Sequence, residues 1–481
     1  MAKILFLNPP HKFKFSRPSR WSEYTKSGTL YYPIWLSYAC GYALNEKHDA
    51  LLIDAIAECL SFNETINKVL EFNPDLLVVD TSTPSIYNDI KFVQELKKRK
   101  NIKSVLVGTH SSVFPKEILK KFKQIDFIAV GEYDETISDL ANNLDKPQKL
   151  KGIAYRKNKK IILNKLRSPI ENLDNLPFVS EIYKRFLDVK DYRYALARHP
   201  MIQIMTSRGC PNFCTFCCWP QTFMGRKYRA RSPENVVDEL EYIKKELPMI
   251  KEVFIEDDTF SIYRKRVLEI CRLIKAKKLK IIWSVNVRAD LDYDLLKSMK
   301  ESGCRLLVVG YESGNQEILN NIKKGITLKQ AEEFTENAKK LGFKIFGCFM
   351  IGLPGDNKET IQQTFNFAKK LNPDMAFFQQ AVPFPGTEFY KWVNENNFLI
   401  TKDYNKWLDK NGQLDFLVSY PDLSNKDIEK MRDLMTVGFY TSFRHIVFTV
   451  IQNYNPLETL RLIRGALNYF KFLIKRRRAY Q

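Results

Sequence analysis

The stretch MIQIMTSRGCPNFCTFC, residues 201–217, passes from an apolar, strand-like run directly into a loop carrying three cysteines. Working outward from it, further candidate strands follow at 252–256, 281–286, 305–310, 344–350 and 375–379, separated by helical stretches such as 232–247 and 327–341. Six βα units in succession predict a parallel (βα)6 partial TIM barrel, with its site at the carboxyl ends of the strands. Chemistry-bearing residues should then follow those strands directly. They do: the cysteine loop after the first, Glu256-Asp257-Asp258 after the second, Arg288 after the third, Gly310-Tyr311-Glu312 after the fourth and Gly352 after the fifth.

Upstream of this repeat lie five short apolar runs, at 3–7, 50–54, 75–80, 104–107 and 125–130. Runs of this kind suit strands covered on both faces, hence an N-terminal doubly wound parallel α/β sheet. Its ligand-facing ends would be Asn8-Pro9-Pro10, Asp54, Thr81-Ser82-Thr83, Gly108-Thr109-His110 and Gly131-Glu132. The expected divisions are a first domain over 1–143, a linker with short strands over 144–195, a barrel over 196–425 and a basic helical extension over 426–481.

The chain of 481 residues is 44% hydrophobic, enough to fill two or three cores, which excludes wholesale disorder. Its net charge of +21 favours an anionic partner: nucleic acid, a phosphorylated substrate or anionic lipid. Nine cysteines in so long a chain, and too short an apolar run in MAKILFLNPP for a signal peptide, suggest a reducing cytoplasm. No charge-free apolar run reaches the roughly 18 residues of a membrane span.

Cys210, Cys214 and Cys217 form a C-x3-C-x2-C set. Three thiolates on one short loop can hold three corners of an iron–sulfur cube and leave one iron open for chemistry. The spacing equally admits a zinc site completed by a distant cysteine, or no metal at all. Cys218 follows directly, but consecutive residues of a tight loop point apart, so it is not expected among the ligands.

This loop, with an aromatic residue before its third cysteine and a strand before its first, resembles the radical S-adenosylmethionine (SAM) superfamily. With the N-terminal sheet, the linker, Gly352-Leu353-Pro354-Gly355 and PFPGT at 383–387, the chain is similar to the cobalamin (B12)-binding-domain radical SAM enzymes. Residues 217–240, CCWPQTFMGRKYRARSPENVVDEL, further resemble the subgroup associated with hopanoid and archaeal lipid tailoring.

The resemblance implies that Cys210, Cys214 and Cys217 ligate a [4Fe-4S] cluster whose free iron binds SAM. One electron, from a flavodoxin or ferredoxin, would cleave SAM to a 5′-deoxyadenosyl radical that abstracts hydrogen from an unactivated carbon. Phe216 and Gly352 would approach the adenine, and Arg288 and Glu312 would contact the ribose, amino or carboxylate groups. Glu256, Asp257 and Asp258 occupy the place of a small-residue motif that binds the methionine moiety; Asp257 and Asp258 are equally readable as caps of the following helix. Thr81, Ser82, Thr83, Gly108 and Gly131 would surround a cobalamin. The family's D-x-H-x-x-G pattern is replaced by Asp54-Ala55-Ile56-Ala57-Glu58-Cys59, so cobalamin would bind without histidine ligation. His110 either approaches a ligand or is a surface residue.

From Arg461 the tail carries seven cations and no acid, with Leu460, Ile463, Leu467, Phe470 and Ile474 at helical spacing. Such a helix either meets a membrane surface, which would place the enzyme at the inner face of the membrane, or packs on the barrel. The expected activity is methylation or ring-forming modification of a lipid or lipid-linked small molecule. Two alternatives are an RNA-modifying methylthiotransferase and a non-catalytic cobalamin- or lipid-binding protein. Nucleic acid is not the expected partner, because a methylthiotransferase carries three cluster cysteines in its first domain and this one has only Cys40 and Cys59.

Overall fold

The computed structural model describes residues 1–20, 22–24 and 28–446. Seven strands form the first sheet: β1 (Lys3–Asn8), β2 (Asp49–Asp54), β3 (Leu76–Asp80), β4 (Lys103–Val107), β5 (Phe127–Ala129), β6 (Ile153–Lys157) and β7 (Lys160–Leu163). Their order is β2-β1-β3-β4-β5-β6-β7, the first five parallel and the last two antiparallel. Alternation along β1 explains why both faces are covered. Leu5 and Leu7 enter one core with Ile66, Val69, Ile90 and Val93 of two flanking helices, whereas Ile4 and Phe6 enter a second core that continues into the barrel.

The expected linker is not separate from this sheet. β6 and β7 extend it antiparallel, and Val179, Ile182 and Tyr183 of helix Val179–Phe186 belong to the shared core. A sequence reader sees the strands but not which sheet their edges reach.

The barrel follows as β8 (Met201–Ile204), a small hairpin of β9 (Ser207–Arg208) and β10 (Arg229–Ala230), then β11 (Glu252–Ile255), β12 (Trp283–Val287), β13 (Cys304–Glu312), β14 (Lys344–Ile351) and β15 (Met375–Gln380). The six long strands are all parallel, in the order β15-β14-β13-β12-β11-β8, a partial barrel open between its first and last strands. Local signals start its helices. Ser232 accepts from Asn235 N ahead of Pro233–Glu246, and Thr327 and Gln330 make a capping box ahead of Leu328–Lys340.

Two segments tie the domains together. Between β1 and helix Ile34–Asn45 the described residues include Tyr32, which reaches β8: its N donates to Gln203 Oε1 (2.9 Å) and its Oη to Met201 O (2.8 Å). Helix Asn425–Tyr440 packs on the last strand, Phe439 against Phe378 and Tyr440 Oη donating to Ala376 O at 3.0 Å. The start of the expected basic extension is thus part of the barrel wall, while the cationic tail from Arg461 lies outside the described residues. No helix among the described residues is long and apolar enough to cross a membrane.

Candidate active site

The cysteine loop is an excursion between β9 and β10, closed by their antiparallel pairing. Gly209 opens it at φ +83°, and a Cβ there would lie 2.3 Å from Lys227 O, so only glycine admits the turn. Asp257, at the end of β11, fastens the loop's stem. Its carboxylate accepts four hydrogen bonds, from Thr206 N (2.6 Å), Thr206 Oγ1 (2.6 Å), Ser207 N (3.1 Å) and Ser207 Oγ (2.6 Å). With those lone pairs engaged, Asp257 holds chain rather than ligand.

Gln221 staples the far side: its Nε2 reaches Cys214 O (3.3 Å), Thr215 O (3.1 Å) and Cys217 O (2.8 Å). Cys210 and Cys214 are buried and Cys217 half-buried. Asn212 Nδ2 donates to Cys210 Sγ at 3.3 Å, and Thr259 Oγ1 lies 3.5 Å from the same sulfur. Burial pushes the Cys217 thiol well up, reinforced by Asp258, Cys214 and Cys210. Cys218 is turned away, towards Thr222 Oγ1 (3.5 Å) and Thr109 of the first domain.

Around the cysteines stand a buried ion pair and a half-buried one. Lys324 Nζ donates to Glu312 Oε1 at 2.7 Å, and burial raises the Cys214 thiol while nearby Lys324 draws it down. The pair sits over Gly310, where a Cβ would fall 2.4 Å from Glu312 Oε1 and 2.9 Å from Lys324 Nζ. Arg288 does not reach outward. Nη1 and Nη2 donate to Lys324 O (2.9 Å) and Gly325 O (3.0 Å), and Nε to Asp290 Oδ2 (2.9 Å), which fixes the loop bearing Lys324. On the Cys217 side, Arg20 pairs with Glu256 Oε1 and lies 3.5 Å from Asp258 Oδ1, its guanidinium 4.2 Å from the Trp219 ring centroid. Neither Asp257 nor Asp258 caps a helix, because the next one, Arg264–Ala276, begins further on with Tyr263 at its N-cap.

Phe216 is half-buried against the shared core. Gly352 makes its turn at φ +78° with its carbonyl accepting from Tyr420 Oη at 2.7 Å. Phe378 belongs to the wall, stacked on Phe349, whereas Phe377 meets Phe346, whose ring adjoins Tyr194.

At the first sheet's carboxyl edge, Asp54 knots the turn after β2. Oδ1 accepts from Asn8 Nδ2 (2.8 Å), Ile56 N (3.1 Å) and Ala57 N (3.2 Å), and Oδ2 from Tyr192 Oη (2.9 Å). Ile56 is buried in the core. Thr81 Oγ1 is held by Val107 O (2.6 Å) and Ser82 Oγ by Ser85 Oγ (2.9 Å); Gly108 follows β4 at φ +110°, and Gly131 N donates to Ser112 Oγ at 3.1 Å. His110 is not on the surface. It is buried, 3.2 Å from Thr83 Oγ1 and edge-on to Tyr404, and burial pushes its imidazole down to about 3, hence neutral.

Sequence reading missed Arg20, Lys324 and Gln221. Only Gln221 lay in the quoted motif region; Arg20 meets Glu256 across 236 positions, which no local pattern could reveal.

A doubly wound sheet set beside a six-stranded parallel partial barrel, with two buried cysteines and one half-buried on the loop after the barrel's first strand, defines an α/β protein whose site lies at the carboxyl ends of its strands. The radical SAM superfamily model matches residues 204–368, and the B12 binding domain model matches 24–141. An uncharacterized methyltransferase of Pyrococcus horikoshii is 31% identical over 98% of this chain and 99% of its own. An anaerobic magnesium-protoporphyrin IX monomethyl ester cyclase of Rubrivivax gelatinosus is 28% identical over 76% of this chain and 66% of its own. Among solved structures, the radical SAM methyltransferase TsrM of Kitasatospora setae superposes with a TM-score of 0.70 at 16% identity, covering 91% of this chain and 88% of that one. The chain belongs to the radical SAM enzymes that carry a B12-binding domain, the cobalamin radical SAM methyltransferases.

That membership implies a [4Fe-4S] cluster, SAM and cobalamin. The residues fit them. Soft thiols with amide and hydroxyl donors at Cys210 suit a cluster. Along the first sheet's edge, Asp80 Oδ2 and the Tyr133 hydroxyl are buried without hydrogen-bond partners, which leaves polar groups for a ligand rich in amides to satisfy.

Proposed function

We propose that this chain methylates an unactivated carbon of a lipid or lipid-linked small molecule, with Cys210, Cys214 and Cys217 as the cluster ligands. The observation that carries the reading is the trio of thiols on a loop clamped at both ends, beside the polar edge of the B12-binding domain. When bound, the cluster and SAM supply a hydrogen-abstracting radical and cobalamin supplies the methyl group. The chain's residues orient and shield. Asp257 and Gln221 set the cysteine loop. The Glu312–Lys324 pair and Arg288 hold the barrel mouth beside Cys214, where Glu312 offers its second oxygen to the amino or ribose groups of SAM. Phe216 and Gly352 border the adenine, Glu256 and Asp258 border the methionine moiety, and Thr83, Gly108, Gly131 and the backbone of Thr81 and Ser82 border the corrin. The lipid assignment is supported by the likeness of residues 217–240 and by the cationic tail, which suits a contact with anionic membrane lipid. Flavodoxin or ferredoxin would deliver the electron.

Methylation and ring formation leave different products. Reconstituted anaerobically with lipid extract, reductant and SAM, the protein should release both 5′-deoxyadenosine and S-adenosylhomocysteine and add one methyl group, read by mass spectrometry. Release of 5′-deoxyadenosine alone, with a product lighter by two hydrogens, would instead indicate ring closure. A product confined to tRNA would favour the methylthiotransferase reading.

Because Ile56 offers no donor, the Co(II) form should show no nitrogen splitting in its paramagnetic resonance spectrum. A nitrogen-split signal would refute ligation without histidine.

A further inference from the structure

Three acids in succession, Glu256, Asp257 and Asp258, end β11 beside the cysteine loop, and all three side chains are buried. Asp257 is satisfied by the four hydrogen bonds that fasten the loop. Glu256 and Asp258 are different: Arg20 is the cation paired with both among the described residues, and one oxygen of Asp258 has no partner. Arg20 Nη2 also donates to Asp257 O at 3.1 Å, and its side chain is 24% exposed. The guanidinium lies 4.2 Å from the Trp219 ring centroid, and Trp219 comes two residues after the last of the three cysteines. Thr259, next to Asp258, has its hydroxyl 3.5 Å from Cys210 Sγ, so this charge cluster borders the cysteine loop.

The positive charge is thus delivered from outside the barrel. Arg20 belongs in sequence to the first domain, yet it pairs with acids at the end of the barrel's second strand. A centre held by three thiolates beside two buried carboxylates is difficult to reduce, because each further electron adds negative charge in a medium of low dielectric. A fixed cation at that spot opposes this.

We propose that Arg20 is a positioning residue of electrostatic kind, which raises the reduction potential of the metal centre at Cys210, Cys214 and Cys217 by offsetting Glu256 and Asp258. The proposal rests on the reading of those cysteines as cluster ligands. Consequently the connection between β1 and helix Ile34–Asn45 is part of the redox site, although it lies outside the residues matched by the radical SAM model.

The test uses full-length protein, reconstituted with iron and sulfide and titrated potentiometrically at alkaline pH, where both acids stay ionised, with paramagnetic resonance as the readout. Arg20→Gln should move the midpoint to more negative potential at unchanged iron content. Arg20→Lys should restore it, and Glu256→Gln should move it to more positive potential. A merely structural role would lower iron content without these opposed shifts. Unchanged midpoints in Arg20→Gln and Glu256→Gln, or shifts of the same sign, would overturn the proposal. Should Arg20→Gln fail to fold, the positive shift of Glu256→Gln with a wild-type-like Arg20→Lys supports it, and the lack of that shift overturns it. Absence of any cluster in the wild-type protein would sink the ligand reading itself.

Discussion

Replacing Cys210, Cys214 or Cys217 singly by Ala is expected to abolish the iron–sulfur signal and reduce 5′-deoxyadenosine formation to background. The loop supplies three thiols for three irons, and the neighbouring Cys218 is engaged elsewhere, its sulfur against Thr222 and Thr109. A cube bound at two corners exposes two irons and is lost rather than weakened. Cys218→Ala should retain full iron content and SAM cleavage. Iron and sulfide analysis with paramagnetic resonance of the reduced protein decides the matter. A Cys217→Ala protein with an intact cluster, or a Cys218→Ala protein without one, would refute the assignment.

The second large effect is expected at the seam between the domains. Arg208, on β9 next to the cysteine loop, donates to both oxygens of Asp134 (2.7 and 3.0 Å), and its guanidinium lies 5.3 Å from the Trp35 ring and 5.1 Å from that of Tyr38. Arg229, its cross-strand partner on β10, is paired with Glu132. All four side chains are at most 5% exposed. The two strands that close the cysteine loop are therefore each anchored to carboxylates of the first domain.

Removing one member strands a buried charge, which typically costs about 3–5 kcal/mol. Arg208→Met and Asp134→Leu should each lower the melting temperature strongly and open the seam to proteolysis, with loss of cluster retention. The double variant should lose much less than the two single losses together, since neither charge is then left unpaired. Additive losses, or single losses within about 0.5 kcal/mol as for an ordinary surface change, would show that the network carries no such load.

The division between what was legible in the chain and what was not follows from the range of the interactions. Alternating apolar runs and helical periods disclosed the doubly wound sheet, the six parallel units and their order, because strand and helix periodicity are written within a dozen residues. The cysteine set was legible for the same reason: three cysteines on one loop need no knowledge of the rest of the molecule. Asp257 was visible but its task was not, since the four donors that occupy it come from the end of a neighbouring strand. His110 read as ligand or surface, and the structure buries it among Thr83, Phe114 and Tyr404, the last from far along the chain, which leaves it neutral.

By itself, then, the sequence determined the architecture, the cysteine loop and the absence of an imidazole at position 56, all encoded in short-range pattern or in residue identity. Tertiary structure alone decided the charges around that loop. Arg20 reaches Glu256 across 236 positions and Arg208 reaches Asp134 across 74, and such pairings arise only when the chain's topology brings distant segments together. An ion pair leaves no periodic trace in a sequence, because its strength depends on distance and burial, not on separation along the chain.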